Sequence, residues 1–147
     1  MYEKGNAARD RHDYSEAVKW YCKAGEAGHQ GSIGVLAYWY YEGQYVPKDH
    51  SESAKWYLKS ADHWFAQLML GKIYYNGGYG VVKDYSEAFI WFHKAAAQNE
   101  PEAQFYVGNM YENGYGVAKN LNEARSWYRK SADQSYYTAQ LALERLR

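Results

Sequence analysis

Four tryptophans divide this chain into segments of nearly equal length. They lie 36, 35 and 36 residues apart along the sequence. An acid stands four residues before each tryptophan, an aromatic residue follows it directly, and a lysine comes three residues after it. The four sets are Glu16, Trp20, Tyr21 and Lys23; Glu52, Trp56, Tyr57 and Lys59; Glu87, Trp91, Phe92 and Lys94; and Glu123, Trp127, Tyr128 and Lys130. Self-similarity at this period predicts a chain of stacked structural repeats.

Each period contains two segments whose small and apolar residues follow a helical spacing. In the segment that starts at Ala66 they recur at i, i+4, i+7, i+8 and i+11, and the segment around Trp91 keeps a comparable spacing. Such spacing places the residues on one stripe of an amphipathic helix. The two predicted stripes are Ala66, Leu70, Ile73, Tyr74 and Gly77, and then Ala88, Trp91, Phe92, Ala95 and Ala96.

Turn and capping residues separate the two predicted helices. The glycine-rich stretches 77–80 and 114–116 tolerate positive φ and predict the end of a first helix. An Asp or Asn seven residues before each tryptophan predicts the N-cap of a second helix, and the acid three residues later resembles a capping box. The recurring lysine falls in the last turn, where it favours the negative end of the helix dipole. The predicted N-caps are Asp13, Asp49, Asp84 and Asn120.

The predicted fold is therefore all-α. A single helix–turn–helix hairpin cannot bury its own apolar stripe, so successive hairpins are expected to stack into a right-handed α-solenoid. We expect one solenoid domain over 1–147, with a partial first repeat at 1–30, full repeats at 31–64, 65–101 and 102–137, and a terminal helix at 138–147. Gly71 and Gly108 lie inside first helices, which predicts a close approach of the helix that carries Trp and its aromatic neighbour.

Two departures from the repeat lead to local expectations. The first five residues match 110–114 at four of five positions, which predicts that they form the tail of a first helix, with Gly5 in the place of Gly114. The spacing from Trp56 to Ala66 is 10 residues, whereas the other tryptophans precede the next first helix by 12. The missing residues fall near Asp62, so we expect a tight linker there.

The motif resembles a known repeat family. The residues from Ala66 to Ala96 read Ala-x-x-x-Leu-Gly-x-x-Tyr-x-x-Gly and then Gly-Val-x-x-Asp-x-x-x-Ala-x-x-Trp-Phe-x-Lys-Ala-Ala, and 103–132 repeat them with small changes. This pattern resembles the Sel1-like repeat, a relative of the tetratricopeptide repeat with a longer period and a glycine-rich turn. The resemblance implies a protein- or peptide-binding scaffold or adaptor that is not an enzyme.

Two alternatives accompany that expectation. Cysteine-rich relatives in bacteria have been linked to β-lactam binding or hydrolysis, but those relatives carry paired cysteines in each repeat and this chain has only Cys22. The chain could also be a structural fragment of a longer repeat array. In that case its cut repeat ends would favour self-association with another copy.

Composition restricts the partners and the compartment. With 17 basic and 17 acidic residues, no strong field attracts nucleic acid, and no apolar run is long enough for direct membrane insertion. The lone cysteine slightly favours the cytoplasm, and no signal peptide is visible. Removal of a leader would leave the same sequence, so a periplasmic or secreted location stays open.

The sequence predicts no catalytic, cofactor-binding or metal-binding residues. The five histidines show no metal-ligand spacing, and the glycine-rich stretch at 77–80 lacks the Lys-Ser/Thr of a phosphate-binding loop. Cys22 has no neighbouring base in the pattern, so we do not expect it to act as a nucleophile.

Partner binding is expected on the face formed by the first helices. Solenoids bind through this surface, and positions that vary while the repeat frame stays constant are the natural candidates. In the run 38–41 we expect Tyr40 to lie in the core and Tyr38 and Tyr41 to be accessible. The predicted partner-binding residues form two columns, Tyr38, Lys72 and Asn109, and then Tyr41, Tyr75 and Glu112.

Overall fold

The chain is entirely helical in a computed structural model that describes all 147 residues. Nine α-helices follow one another without a strand, which confirms the predicted all-α class. We refer to α1, α3, α5, α7 and α9 as first helices and to the others as second helices. The helices are α1 (Tyr2–Asp10), α2 (Tyr14–Glu26), α3 (Gln30–Glu42), α4 (His50–Leu58), α5 (Trp64–Asn76), α6 (Tyr85–Ala97), α7 (Pro101–Asn113), α8 (Leu121–Asp133) and α9 (Tyr137–Arg145).

The helices belong to two compact units. Unit 1 comprises Met1–Ala61 together with Gly78–Val81, and unit 2 comprises Asp62–Gly77 and Val82–Arg147. In unit 1 each helix from α1 to α4 packs against the next along the chain. In unit 2 the same consecutive packing runs from α5 to α9. Packing of each repeat on its neighbours along the chain is the defining feature of repeat solenoids.

The aromatic residue after each tryptophan is the centre of the repeat core. Tyr21, Tyr57, Phe92 and Tyr128 are all at most 2% exposed. A Cβ built on Gly71 would lie 2.5 Å from the Phe92 ring, and one on Gly108 would lie 2.7 Å from the Tyr128 ring. These glycines therefore allow the close helix approach that the sequence predicted. The approaching ring is that of the residue after tryptophan, because the tryptophan itself lies nearer the surface.

The predicted N-caps are confirmed in all four second helices. Each cap side chain accepts a hydrogen bond from the backbone N–H of the acid three residues on, at 3.0–3.1 Å. The acids complete a capping box in none of the repeats, because the backbone N–H of each cap residue donates to a carbonyl oxygen of the preceding first helix. Instead Glu16 and Glu87 accept hydrogen bonds from the indole Nε1 of Trp20 and Trp91, four residues later on the same helix.

The recurring lysines have a contact that the dipole argument did not anticipate. In every repeat the ammonium group lies over the ring of the tryptophan three residues earlier, at 4.1–5.8 Å from its centroid. A cation over an indole face is attracted by the ring quadrupole. The pairs are Lys23 and Trp20, Lys59 and Trp56, Lys94 and Trp91, and Lys130 and Trp127.

The register expected for the first five residues is wrong. Gly5 lies inside α1, and a Cβ on it would meet the Tyr21 ring at 2.6 Å, as for Gly71 and Gly108. Gly5 is thus the helix-contact glycine of the repeat, and the turn to α2 contains only residues 11–13. The local sequence match failed because a glycine can serve either a turn or a close helix contact, and only packing separates the two.

The expectation of a tight linker near Asp62 is also wrong. The second helix α4 has 9 residues, whereas α2, α6 and α8 have 13 each. The connection from α4 to α5 spans 59–63, which is longer than the three-residue connections at 27–29, 98–100 and 134–136. The shorter spacing from Trp56 to Ala66 therefore reflects a shorter second helix, and the linker after it is longer than in the other repeats.

Candidate partner-binding face

The corrected register of α1 extends the two predicted columns. Residues that directly follow the helix-contact position form column one, and residues three positions further along form column two. By this rule α1 contributes Asn6 and Arg9, and Arg145 of α9 belongs to column one because it stands six residues after Ala139, as Asn109 does after Ala103. The sequence already contained the signal for Arg145, since the repeat register reaches α9. Arg145 was missed because the polar residues at the end of the chain led us to treat α9 as a terminal helix only.

In unit 1 the two residues that α3 contributes to the face are aromatic. Tyr38 is 47% exposed. Tyr41 is half-buried, and its ring stacks on His50 with centroids 4.8 Å apart and planes 9° from parallel. Tyr41 is thus not accessible in the way expected. Tyr40 is half-buried and not in the core, although burial is enough to raise the pKa of its hydroxyl.

The α1 residues of the face make polar contacts. The hydroxyl of Tyr21 donates to Oδ1 of Asn6 at 2.8 Å, which joins α2 to α1 beside Gly5. Arg9 pairs with its neighbour Asp10 at 3.1 Å, and both side chains are largely exposed. An exposed pair of this kind adds little stability.

In unit 2 the face is connected by a chain of hydrogen bonds. The Tyr75 hydroxyl donates to Oδ1 of Asn109 at 2.9 Å, and the Asn109 side chain also hydrogen-bonds Tyr128. The Tyr128 hydroxyl donates to Glu112 at 2.6 Å, and Arg145 binds both oxygens of the same carboxylate. The network links α5, α7, α8 and α9. Each column-one residue in it binds the column-two residue of the preceding first helix.

The electrostatics of the network follow from these contacts. The guanidinium of Arg145 and the hydroxyl of Tyr128 lower the pKa of Glu112 against the effect of its partial burial. Burial, together with the Glu112 carboxylate, raises the pKa of Tyr128. Burial also raises the pKa of Tyr75 to about 12. The network is therefore ionised at Glu112 and neutral at both tyrosines near pH 7.

Lys72 completes the predicted set in unit 2. Its ammonium group forms an ion pair with Glu102 at the start of α7, and both side chains are less than a third exposed. Five of the six predicted residues are therefore half-buried and make contacts within their own unit, and Tyr38 alone is exposed.

A pocket of about 230 Å³ opens on this face between α7 and α9. Its apolar lining consists of Phe105, Leu141 and Ala142, with the Tyr128 ring beside them. Asn109, Thr138 and Arg145 supply polar groups at the same site. Of these residues only Asn109 was predicted, because α9 had been treated as a terminal helix without a role in binding.

Chemistry elsewhere in the chain is limited. Cys22 is half-buried, and burial together with Glu26 and Glu52 raises the pKa of its thiol, which disfavours the nucleophilic thiolate. No cluster of three His, Cys, Asp or Glu side chains has the arrangement of a metal site. None of the nine helices combines the length and the apolar character needed to cross a bilayer.

Solved structures share this fold over nearly the whole chain. The chain is 37% identical to c5321, a protective antigen of uropathogenic Escherichia coli with an SLR fold, over 99% of its own length and 32% of that protein, with a TM-score of 0.87. It is 36% identical to a Sel1 repeat protein from Oxalobacter formigenes over 97% of its length and 59% of that chain, with a TM-score of 0.76. The chain thus spans about a third and about three fifths of these two proteins.

A more distant structure shows the fold alone. Cysteine rich protein B of Helicobacter pylori is 23% identical, with coverage of 88% of this chain and 93% of that one and a TM-score of 0.64. Comparison of the sequence with curated proteins finds no match.

Four segments of the sequence, 1–29, 35–63, 64–100 and 101–136, match the Sel1 repeat. They include every second helix and all four tryptophans. Proteins of this kind are typically scaffolds for protein interactions. On the strength of these matches, the chain belongs to the Sel1 repeat family.

Proposed function

We propose that this chain is a non-catalytic scaffold that binds a protein or peptide partner through its first helices. The pocket between α7 and α9 carries the proposal, because an apolar cavity beside a few fixed polar groups is the usual form of a recognition site. In this proposal the pocket receives an apolar side chain of the partner. Asn109 and Thr138 then hydrogen-bond the main chain on either side of it.

The polar network supports this role through its rigidity. Asn109 is held by Tyr75 and Tyr128, and Arg145 is held by both oxygens of Glu112. Groups that are already oriented lose less conformational freedom when a partner binds. Column-two residues and Lys72 thus act mainly by positioning the face, while the residues of the pocket make the contact.

Tyr38 is the proposed contact residue of unit 1. Tyrosine is a frequent interface anchor because it offers a large contact area, a hydroxyl group and few rotatable bonds. Its 47% exposure leaves the ring accessible while its base is held by α3. The neighbouring Tyr41 stacks on His50, so in this proposal it positions the surface and does not contact the partner.

The test compares two aliphatic residues of unit 2 that have nearly equal exposure. Leu141 lies in the pocket and is 46% exposed, whereas Ile90 on α6 is 47% exposed and lies outside it. Peptides would be selected from a random library on the wild-type protein, and their dissociation constants measured by fluorescence anisotropy. Leu141→Asp is expected to weaken binding by about tenfold or more, equivalent to about 1.4 kcal/mol. Ile90→Asp is expected to leave binding unchanged.

Two outcomes would contradict the proposal. One is a library that yields no binder to the wild-type protein. The other is equal loss of binding in Leu141→Asp and Ile90→Asp, which would place the contact elsewhere. Circular dichroism of both variants checks that each retains its helices.

A further inference from the structure

Three of the four turns between the helices of a repeat carry a tyrosine that packs on the preceding repeat. Tyr45 stacks on Tyr14 at 3.8 Å with planes 12° apart, and Tyr115 stacks on Tyr85 at 4.4 Å with planes 6° apart. In both pairs the supporting ring belongs to the first residue of a second helix, directly after its N-cap. The same position of α4 is occupied by His50, and the turn tyrosine that packs on it is Tyr79.

In the three pairs, the residue beneath the turn tyrosine is therefore a tyrosine twice and a histidine, His50, once. His50 is 6% exposed and lies between two rings, with Tyr41 parallel to it at 4.8 Å and Tyr79 tilted by 58° at 4.9 Å. Its Nε2 lies 3.2 Å from the backbone carbonyl oxygen of Tyr41. Nε2 therefore carries the proton and donates to that oxygen. The other ring nitrogen, Nδ1, is buried without a hydrogen-bond partner.

The turn of residues 78–81 is attached to α4 around this imidazole. The backbone N–H of His50 donates to the carbonyl oxygen of Tyr79 at 2.9 Å. A Cβ on Gly80 would lie 3.1 Å from Oγ of Ser51, so the turn leaves little room for a side chain between its backbone and the first turn of the helix. Lys48 places its ammonium group 4.6 Å above the Tyr79 ring.

We propose that His50 is a pH-sensitive latch, and that its protonation releases the turn 78–81 from the first turn of α4. Protonation adds a second N–H at Nδ1, where no acceptor lies within reach, and so creates a buried charge with an unsatisfied donor. The charge would also sit at the N-terminus of α4, where the helix dipole repels cations. Movement of the ring toward water relieves both penalties and breaks its contact with Tyr79.

Some charged groups around His50 favour its protonation and others disfavour it. Lys48 disfavours a second positive charge, whereas Asp49 and Glu42 favour it, and the flanking rings of Tyr41 and Tyr79 are phenols that add no positive charge. Burial is the largest influence and lowers the pKa of His50 below its ordinary value of 6.5. Attachment of the turn is therefore complete above about pH 6.5 and is lost as the pH falls through the lowered pKa of the docked imidazole.

The experiment measures amide hydrogen exchange of His50, whose N–H is bonded to Tyr79. Protection factors, corrected for intrinsic exchange, would be compared between about pH 7.5 and about pH 5, the range in which histidine changes its charge. The expected result is a fall of about tenfold for each pH unit between the ordinary histidine pKa of 6.5 and the lowered pKa of the docked imidazole, or pH 5 if that is reached first, and so of about thirtyfold at most. A parallel NMR titration of the imidazole should show Tyr79 ring signals that move with the same midpoint.

Two matched variants make the result specific. His50→Tyr installs the residue found at positions 14 and 85, and it is expected to keep its protection at both pH values. His93→Gln removes an exposed histidine of α6 and is expected to retain the wild-type pH dependence. Unchanged wild-type protection over this range overturns the proposal. So does an equal fall in His50→Tyr, or an imidazole that titrates without any change at Tyr79.

Discussion

The first-helix faces of the two units use the same repeat positions for different chemistry. In unit 1 the columns hold an exposed tyrosine and a tyrosine stacked on histidine, with Asn6 and Arg9 contributed by α1. In unit 2 they hold the network that joins Tyr75, Asn109, Glu112 and Arg145 through Tyr128. The difference shows that the repeat frame imposes the position of a side chain but not its chemistry. A rigid polar face and an aromatic face are equally compatible with it.

The largest effect on stability should come from removal of the buried ring that follows each tryptophan, since both units have this ring in their core. Phe92→Ala removes a fully buried ring from the centre of unit 2, so we expect a loss of about 3–5 kcal/mol in the free energy of unfolding. Urea denaturation followed by circular dichroism measures it. Ile90→Ala on the same helix is the control and should cost less than about 0.5 kcal/mol. A similar loss in both variants would mean that Phe92 does not support the helix contact.

The helix-contact glycines provide the next largest effect. Gly71→Ala places a methyl group 2.5 Å from the Phe92 ring, and this overpacking should cost about 1–3 kcal/mol. Gly34 lies in α3, and a Cβ added to it would meet no atom within 4 Å, so Gly34→Ala should instead stabilise by about 0.5–1 kcal/mol. Thermal melts of the two variants should therefore shift in opposite directions. Two upward shifts would show that the helices can separate at no cost.

The hydroxyls beneath the two faces allow a direct comparison of the units. Tyr128→Phe removes a hydrogen bond to a carboxylate and should cost about 1.5–2 kcal/mol, whereas Tyr21→Phe removes one to the amide of Asn6 and should cost about 1 kcal/mol. Chemical denaturation of both variants measures the difference. An equal cost would mean that the charge on Glu112 adds nothing to the unit 2 network.

The same network should make stability depend on pH. Because Arg145 and Tyr128 lower the pKa of Glu112, its contribution is complete above the ordinary value of 4.5 and is lost as the pH falls through the lowered pKa. The wild-type protein should therefore be more stable than Glu112→Gln near pH 7, and the difference should shrink toward about pH 3. Denaturation at the two pH values tests this. A constant difference between the proteins would exclude ionised Glu112 as the cause.

The smallest effect on stability is expected at the exposed residue of unit 1. Tyr38→Ala should change the free energy of unfolding by less than about 0.5 kcal/mol, because the ring is half in solvent. Tyr41→Ala should cost more, since it removes the stack on His50. Comparison of their melting temperatures would sharpen the distinction between a contact residue and a supporting one. The reverse order would mean that Tyr38 belongs to the core.

The periodic features of the fold could be predicted from the sequence because they depend on local physical chemistry. The helix stripes, the Asp and Asn caps and the glycine turns each satisfy requirements that lie within a few residues. The four registered tryptophans then required stacking, since one hairpin leaves its apolar stripe exposed. Sequence also correctly indicated that Gly71 and Gly108 mark a close helix contact. These inferences needed no knowledge of distant contacts.

Tertiary packing decided the rest. Gly5 could be assigned to a helix contact only when the Tyr21 ring was seen against it, because a glycine satisfies turns and close contacts alike. The partners of Tyr75, Glu112 and His50 lie on other helices or turns, so their burial and hydrogen bonds have no local signature. Repeat spacing thus determined which positions form the two columns on the first helices. The three-dimensional contacts decided which of those side chains are engaged within the protein and which are open to a partner.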